Sequence, residues 1–219
     1  MADKPTFVGS FRNQMTQLIP NFSTRPRVIW TPGSSGSRLH AITMATNNDA
    51  EIDVQFYLAT PLTEQADMGT GSLVDNGASA DEITRTSGSF ITDGWRAGNR
   101  LLLQGATTLA NDFEVIVTAV AQSTLTLSSG GGDVDTAEDL PSGAALHRLH
   151  KLDYQDLPAS AGEPTTNAIS VLDPAEWPFL DESPDRYITL GPDTYLCAAA
   201  VSALGSGEVV DINCFGGDY

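Results

Sequence analysis

The stretch Ser87–Leu127, SGSFITDGWRAGNRLLLQGATTLANDFEVIVTAVAQSTLTL, decides the fold class. Within it Phe113, Val115 and Val117 alternate with Glu114, Ile116 and Thr118, so one face is apolar and the other mixed, the two-residue period of a half-buried strand. Thr124 to Leu127 repeats the alternation. The Asp93-Gly94 and Ala97-Gly98-Asn99 steps supply residues that tolerate positive φ, and Gly105 to Asn111 offers a second break between apolar runs. Four or five short strands closing into a small barrel or sandwich are expected here, a building block and not a catalyst.

Working outward, the surrounding sequence is β-rich as well. Strands are expected at Arg27–Thr31, Arg38–Thr46 and Ile52–Ala59, separated by the turns Pro32–Gly36 and Asn47–Asp49. Ile52, Val54, Phe56 and Leu58 alternate with Asp53, Gln55 and Tyr57 without interruption. Composition then shifts to Gly, Ser, Asp and Thr through about residue 82 and does so again over Ser128–Gly143, which reads as a pair of linkers. Strand-like sequence resumes at Leu146–Tyr154, Ala168–Leu172, Tyr187–Leu190, Tyr195–Ser202 and Glu208–Phe215. Trp177 and Phe179 are expected to plug one end of the sandwich, with an interface anchor as the alternative.

The expected fold is all-β: a jelly-roll-like β-sandwich built from residues 26–70 and 146–219, a small β-barrel or sandwich module inserted at 71–145, and an extended N-terminal arm over 1–25 with a short turn of helix near Gln14–Leu18. Tandem domains would require the three or four strands before residue 63 to close a core alone, which is marginal. No long amphipathic helix is visible, which argues against βαβ and nucleotide-binding sheets.

The net charge of −17 is unevenly spread. Residues 1–40 carry Lys4, Arg12, Arg25, Arg27 and Arg38 against Asp3, for +4, and the remainder carries −21. An acidic body repels nucleic acid and stays soluble, and the basic leading segment suits a negatively charged partner surface, so Arg12, Arg25 and Arg27 are the candidate docking residues. The alternative for that segment is a solvated arm. No run approaches the ~20 apolar residues of a membrane helix, and no secretory pattern opens the chain, so neither a membrane nor a secretory route is expected. Cys197 and Cys214 lie in the last two expected strands; two buried thiols in a reducing compartment are the expectation, although the two could face each other.

Reactive patterns are few. Gly33-Ser34-Ser35-Gly36-Ser37 approaches a nucleophile elbow but has serine where the second glycine belongs. His147 and His150, three apart in an expected strand, point to opposite faces, and His40 is the remaining histidine. The acidic groups Asp133, Asp135, Glu138, Asp139 and Asp181, Glu182, Asp185 lack the spacing of a calcium loop. Gly130-Gly131-Gly132 precedes acids and no Lys-Ser/Thr, so it does not read as a phosphate loop. A glycosidase needs two carboxylates across a cleft, and three tryptophans and five tyrosines give little sugar-stacking material. No catalytic, cofactor or metal residue is assigned.

Gly88, Ser89 and Phe90, Asp93-Gly94-Trp95, Gly98, Leu101–Leu103, Gly105, Asn111, Phe113–Val120 and Leu125–Leu127 together resemble a module that recurs in tail-tube and virion-surface proteins of tailed bacteriophages. The resemblance covers roughly a fifth of the chain. Thr31-Pro32-Gly33 with Ser37–Thr46, Ile52–Leu58, Leu190-Gly191-Pro192 with Tyr195–Ala200, and Phe215-Gly216-Gly217-Asp218-Tyr219 look like an accessory virion protein of the same viruses. What this implies is an assembly role without an active site: a homo-oligomeric decoration or cement protein on the major capsid protein lattice, located in the virion. A tail or neck component, or a receptor- or glycan-binding surface module, is the alternative.

Overall fold

The computed structural model describes residues 10–20, 23–108, 114–128, 134–163, 166–172 and 187–219. In chain order the elements are β1 (Ser10–Leu18), β2 (Arg27–Trp30), β3 (Ser37–Thr46), β4 (Ile52–Glu64), the short helix α1 (Gln65–Met68), β5 (Gly71–Val74), β6 (Glu82–Arg85), β7 (Arg100–Gln104) and β8 (Glu114–Ile116). They continue with β9 (Ala119–Val120), β10 (Thr124–Thr126), β11 (Glu138–Asp139), β12 (Ala145–Leu157), β13 (Ile169–Ser170), β14 (Ile188–Leu190), β15 (Tyr195–Ala200) and β16 (Val210–Asp218). The protein is all-β with antiparallel sheets, none closed into a barrel, consistent with a sandwich.

The chain divides into two compact units. The first comprises residues 1–58 and 151–219, the second residues 59–150, and β4 and β12 carry the chain from one to the other and back. These boundaries differ from the expected 70/71 and 145/146. The thirteen-residue β4 continues through Pro61 because its two halves serve two cores: Val54 and Phe56 are buried in the first, and Leu62 packs against the second. The Gly- and Ser-rich stretch after Leu62 is not a linker. It contains α1, β5 and the start of β6, with β11 from the second such stretch pairing β5 through Glu138↔Leu73 and Asp139↔Ser72.

In the first unit one sheet runs β1-β16-β3, with β13 and β14 both pairing the far edge of β3. The other runs β2-β15-β4-β12. Leu18, Leu39, Ile42, Met44, Ile212 and Cys214 from the first sheet meet Ile29, Trp30, Val54, Phe56, Leu196 and Ala198 from the second, and all are fully buried or nearly so. Alternation along each strand puts these side chains inward and is the cause of the two-layer packing. Gly216 lies in this interior for a steric reason: a Cβ there would stand 2.4 Å from the carbonyl of Arg38.

The expected arm is corrected. Ser10–Leu18 is no arm and holds no helical turn; it is an edge strand paired antiparallel to β16 over nine residues, from Ser10↔Asp218 to Leu18↔Val210, without a bulge. The polar side chains of its inward face close the sandwich by binding the backbone of β2 and of Thr31 just after it: Arg12 Nη2 donates to Thr31 O, Thr31 N donates to Gln14 Oε1 at 3.1 Å, and Thr16 Oγ1 donates to Val28 O at 3.2 Å.

In the second unit β11-β5-β6-β10-β9 form one sheet, while β7 and β8 extend from the Ala145–His150 half of β12. Met68, Ile83, Phe90, Trp95, Leu101, Leu103, Val117, Leu125 and Leu146 make its core. The expected strand Phe113–Val120 is two strands, β8 and β9, with Phe113 and Asn111 outside the described residues.

Candidate functional site

The three candidate arginines do not share an arm. Arg12 sits 4.5 Å above the Trp30 ring, pairs with Asp218 at 3.1 Å and binds Thr31, so its charge is spent on the fold. Arg25 lies in the turn before β2 and Arg27 opens β2 opposite Ala198, each half-buried. Gly33–Ser37 is a turn locked by Asp218, whose Oδ1 accepts from buried Ser37 Oγ at 2.5 Å and from Gly33 N at 3.1 Å. Gly36 has φ +94 there, and a Cβ would stand 2.6 Å from Leu190 O.

Of the histidines, His147 is buried in β12 and His150 exposed three residues later, while His40 stands exposed on β3 with the Tyr187 ring edge-on at 6.3 Å. Cys197 and Cys214 are free and buried; burial pushes the Cys214 thiol up to about 12 and the Cys197 thiol up as well, so both stay protonated and inert at neutral pH. Glu138 accepts from Thr108 N, and Asp139 from Ser72 Oγ at 2.5 Å, which ties these acids into the second unit. Asp133, Gly130–Gly132, Trp177, Phe179, Asp181, Glu182 and Asp185 lie outside the described residues. A carboxylate trio the sequence reading did not single out, Glu51, Asp53 and Asp156, gathers its oxygens within 4.8 Å of one another. The hydrogen bond with Asp156, then burial, then the charges of Asp156 and Glu51 hold the Asp53 carboxyl above its ordinary range.

Burial sets a pH dependence in the second unit. His147 is 3% exposed, and desolvation lowers its pKa to about 4 from 6.5. The folded state therefore keeps this imidazole neutral where the unfolded chain protonates it, and the stability it contributes is present above pH 6.5 and lost as pH falls toward 4. A loss of about 3 kcal/mol is expected across that window. Urea midpoints at pH 7 and pH 4.5 check it: His147→Gln should flatten the difference, and an unchanged pH slope in that variant would assign the effect elsewhere.

Two features of the described surface and interior remain. In the second unit, Arg85, with a side chain 1% exposed, donates to Asp93 Oδ2 at 2.5 Å, Asp67 O at 2.8 Å and Ser87 O at 2.5 Å, and lies 4.6 Å above the Phe90 ring. Asp93 Oδ2 also accepts from Thr63 Oγ1 at 2.7 Å, and Thr63 accepts from Trp95 Nε1 at 3.0 Å. Arg85, Asp93, Thr63 and Trp95 thus build one polar network, with the Phe90 ring against the guanidinium.

The second feature is the outer face of the β1-β16-β3 sheet, where the usual polarity is reversed. Its register aligns Phe11 with Gly217 and Arg38, Asn13 with Phe215 and Ala41, Met15 with Asn213 and Thr43, and Gln17 with Asp211 and Ala45. Phe11 is 79%, Met15 70% and Phe215 45% exposed. Arg38 stacks 4.1 Å from the Tyr187 ring, and its Nε donates to Tyr219 Oη at 3.2 Å. Asp211 is the acid aligned in this register, and Gln17 Nε2 donates to it at 2.8 Å. A depression of about 210 Å³ opens between Met15, Gln17, Asp211 and Asn213. On a chain of net charge −17 this is a neutral to basic face of aromatic, thioether and amide groups. A face of this composition suits contact by apolar burial and hydrogen bonding. No family model, curated protein or solved structure matches the chain.

Proposed function

We propose that this chain is a structural protein of a tailed-phage virion, bound to the outside of the head as a decoration protein, with the outer face of the β1-β16-β3 sheet as its docking surface. The observation that carries the reading is the near-absence of acid on an aromatic, arginine-bearing sheet face of a strongly acidic molecule. A face of this kind approaches an acidic capsid surface without the repulsion that the rest of the molecule meets. Many weak copies on a symmetric lattice then stabilise a shell without high affinity at each site. The resemblance of the residues between Gly88 and Leu127 to a phage tail-tube and virion-surface module supports the same class of protein.

Co-sedimentation with undecorated heads tests the reading. Wild-type protein should pellet with heads, and the His40→Asp/Phe215→Asp double variant should bind at least tenfold less while melting as wild type does. Equal binding by both proteins would remove this face from docking. Labelling of intact virions on the tail tube or neck, with bare heads, would replace the head assignment by the tail component that the second unit's resemblance also allows.

A further inference from the structure

The free edge of β1 is the feature of the first unit that its own sheet leaves open. β1 ends the sheet, and among the described residues no strand pairs with its outer side. Edge strands are ordinarily protected by proline, lysine, a bulge or an inward charge. Ser10–Leu18 has no proline, lysine or acid and no register shift against β16, and its one inward charge, Arg12, is neutralised by Asp218 at 3.1 Å and laid over Trp30. The approach of another strand is therefore not resisted.

What fits there is written in the exposed face of the strand. Phe11, Asn13, Met15 and Gln17 point outward, and Ile19, next in the alternation, is 36% exposed. The order apolar, amide, apolar, amide, apolar reads the same in both directions about Met15. In an antiparallel pair, residues directly opposite share a face, so a two-fold axis at Met15 sets Phe11 against Ile19, Asn13 against Gln17 and Met15 against its own copy. Moving the axis to Gln14 puts Phe11 and Met15 against amides and Ile19 beyond the strand, and moving it to Asn13 leaves Gln17 and Ile19 without partners in the strand. We propose that this chain forms an isologous dimer in which β1 pairs antiparallel with β1 of a second copy about an axis through Met15, joining two sheets into one. The partner is a second copy because the strand supplies its own mirror-ordered face, and the pairing sets no like charges opposite each other although each molecule has net charge −17: Arg12 falls opposite Leu18 of the second copy and is already paired with Asp218.

The inference does not rest on head docking, since the dimer forms in the purified protein. Light scattering across micromolar concentrations should show a mass twice that of the monomer, with the dimer fraction rising as salt screens repulsion between the acidic bodies. Met15→Lys, at a site 70% exposed, should give monomer alone, with a cooperative melt that no longer depends on protein concentration. The register has its own test. Directly opposite residues bring Cβ atoms to about 4.5–5.5 Å, so Met15→Cys should crosslink to its copy under mild oxidation, while the buried Cys197 and Cys214 stay silent. Asn13→Cys should not crosslink, because the two copies are offset by four residues, roughly 13 Å. Monomer at every concentration and salt, or dimer unaffected by Met15→Lys, overturns the interface. Crosslinking through residue 13 instead of residue 15 overturns the register.

Discussion

Truncation of residues 1–18 is expected to abolish the cooperative unfolding of the first unit. β1 contributes nine register pairs to β16, and a net contribution of about 1 kcal/mol per hydrogen bond makes that ladder comparable to the ~5–15 kcal/mol total stability of a domain, before the regained chain entropy is deducted. More than the ladder is lost. Leu18 leaves the core, Trp30 loses the guanidinium over its ring, and the backbone at Val28 and Thr31 loses the side chains of Arg12, Gln14 and Thr16. Leu18→Ala alone should cost about 2–5 kcal/mol, the range for emptying a buried leucine site. Hydrogen exchange locates the effect: amides of β3 and β16 should lose protection in the truncated protein, while those of β6 and β10 keep it. A truncated protein that melts within a few degrees of the full chain would show that β1 is dispensable, which is the behaviour of a free arm.

Why the sequence suggested an arm is physically clear. Strand recognition rests on apolar residues turned inward and polar ones outward, and β1 inverts this: Arg12, Gln14 and Thr16 face in, where they satisfy the edge of β2, while Phe11 and Met15 face out. The alternation was there with the opposite sign. β4 was legible because Ile52, Val54 and Phe56 alternate with Asp53, Gln55 and Tyr57 in residue type, although Gln55 and Tyr57 are buried too, yet its end was not, since Thr60-Pro61 breaks the pattern while the strand continues. Short strands escaped for a different reason. β5 buries one large apolar side chain, Leu73, among Gly71, Ser72 and Val74, too little periodicity to separate a strand from a linker. The all-β class needed none of these details, and the paired opposite faces of His147 and His150 followed from the two-residue period alone. The outer-face site was only partly legible. Its members come from β1, β3 and β16, and residues so far apart in sequence meet through register, which a single chain read linearly does not display.

Arg85 is buried within the second unit, which nothing in the sequence around it signals. Its guanidinium is almost wholly withdrawn from water, so its charge is tolerated only because Asp93 and the carbonyls of Asp67 and Ser87 surround it. Removing Asp93 leaves that buried cation without its counter-charge, and Asp93→Ala is expected to cost about 3–5 kcal/mol. Thr63 and Trp95 lose their anchor at the same time. Arg85→Met should cost a similar amount, since two carbonyls and the face of Phe90 lose their partner. The double variant Arg85→Met/Asp93→Ala discriminates the causes. If charge pairing dominates, its loss falls well below the sum of the singles, by about 1–3 kcal/mol of coupling; if the carbonyls dominate, the losses add. Gly88 is bound to the same arrangement, with φ +74 and room for no Cβ, which would stand 2.0 Å from Arg85 Nη2. Gly88→Ala must therefore displace the guanidinium, and it should destabilise the second unit more in the wild-type background than in Arg85→Met, where the nearest obstruction is gone and the backbone cost of about 1–2 kcal/mol remains together with the Asp67 carbonyl, 2.9 Å from such a Cβ. Denaturant midpoints of the four proteins decide the matter, and equal effects of Gly88→Ala in both backgrounds would show that the glycine answers to its backbone conformation and not to the arginine.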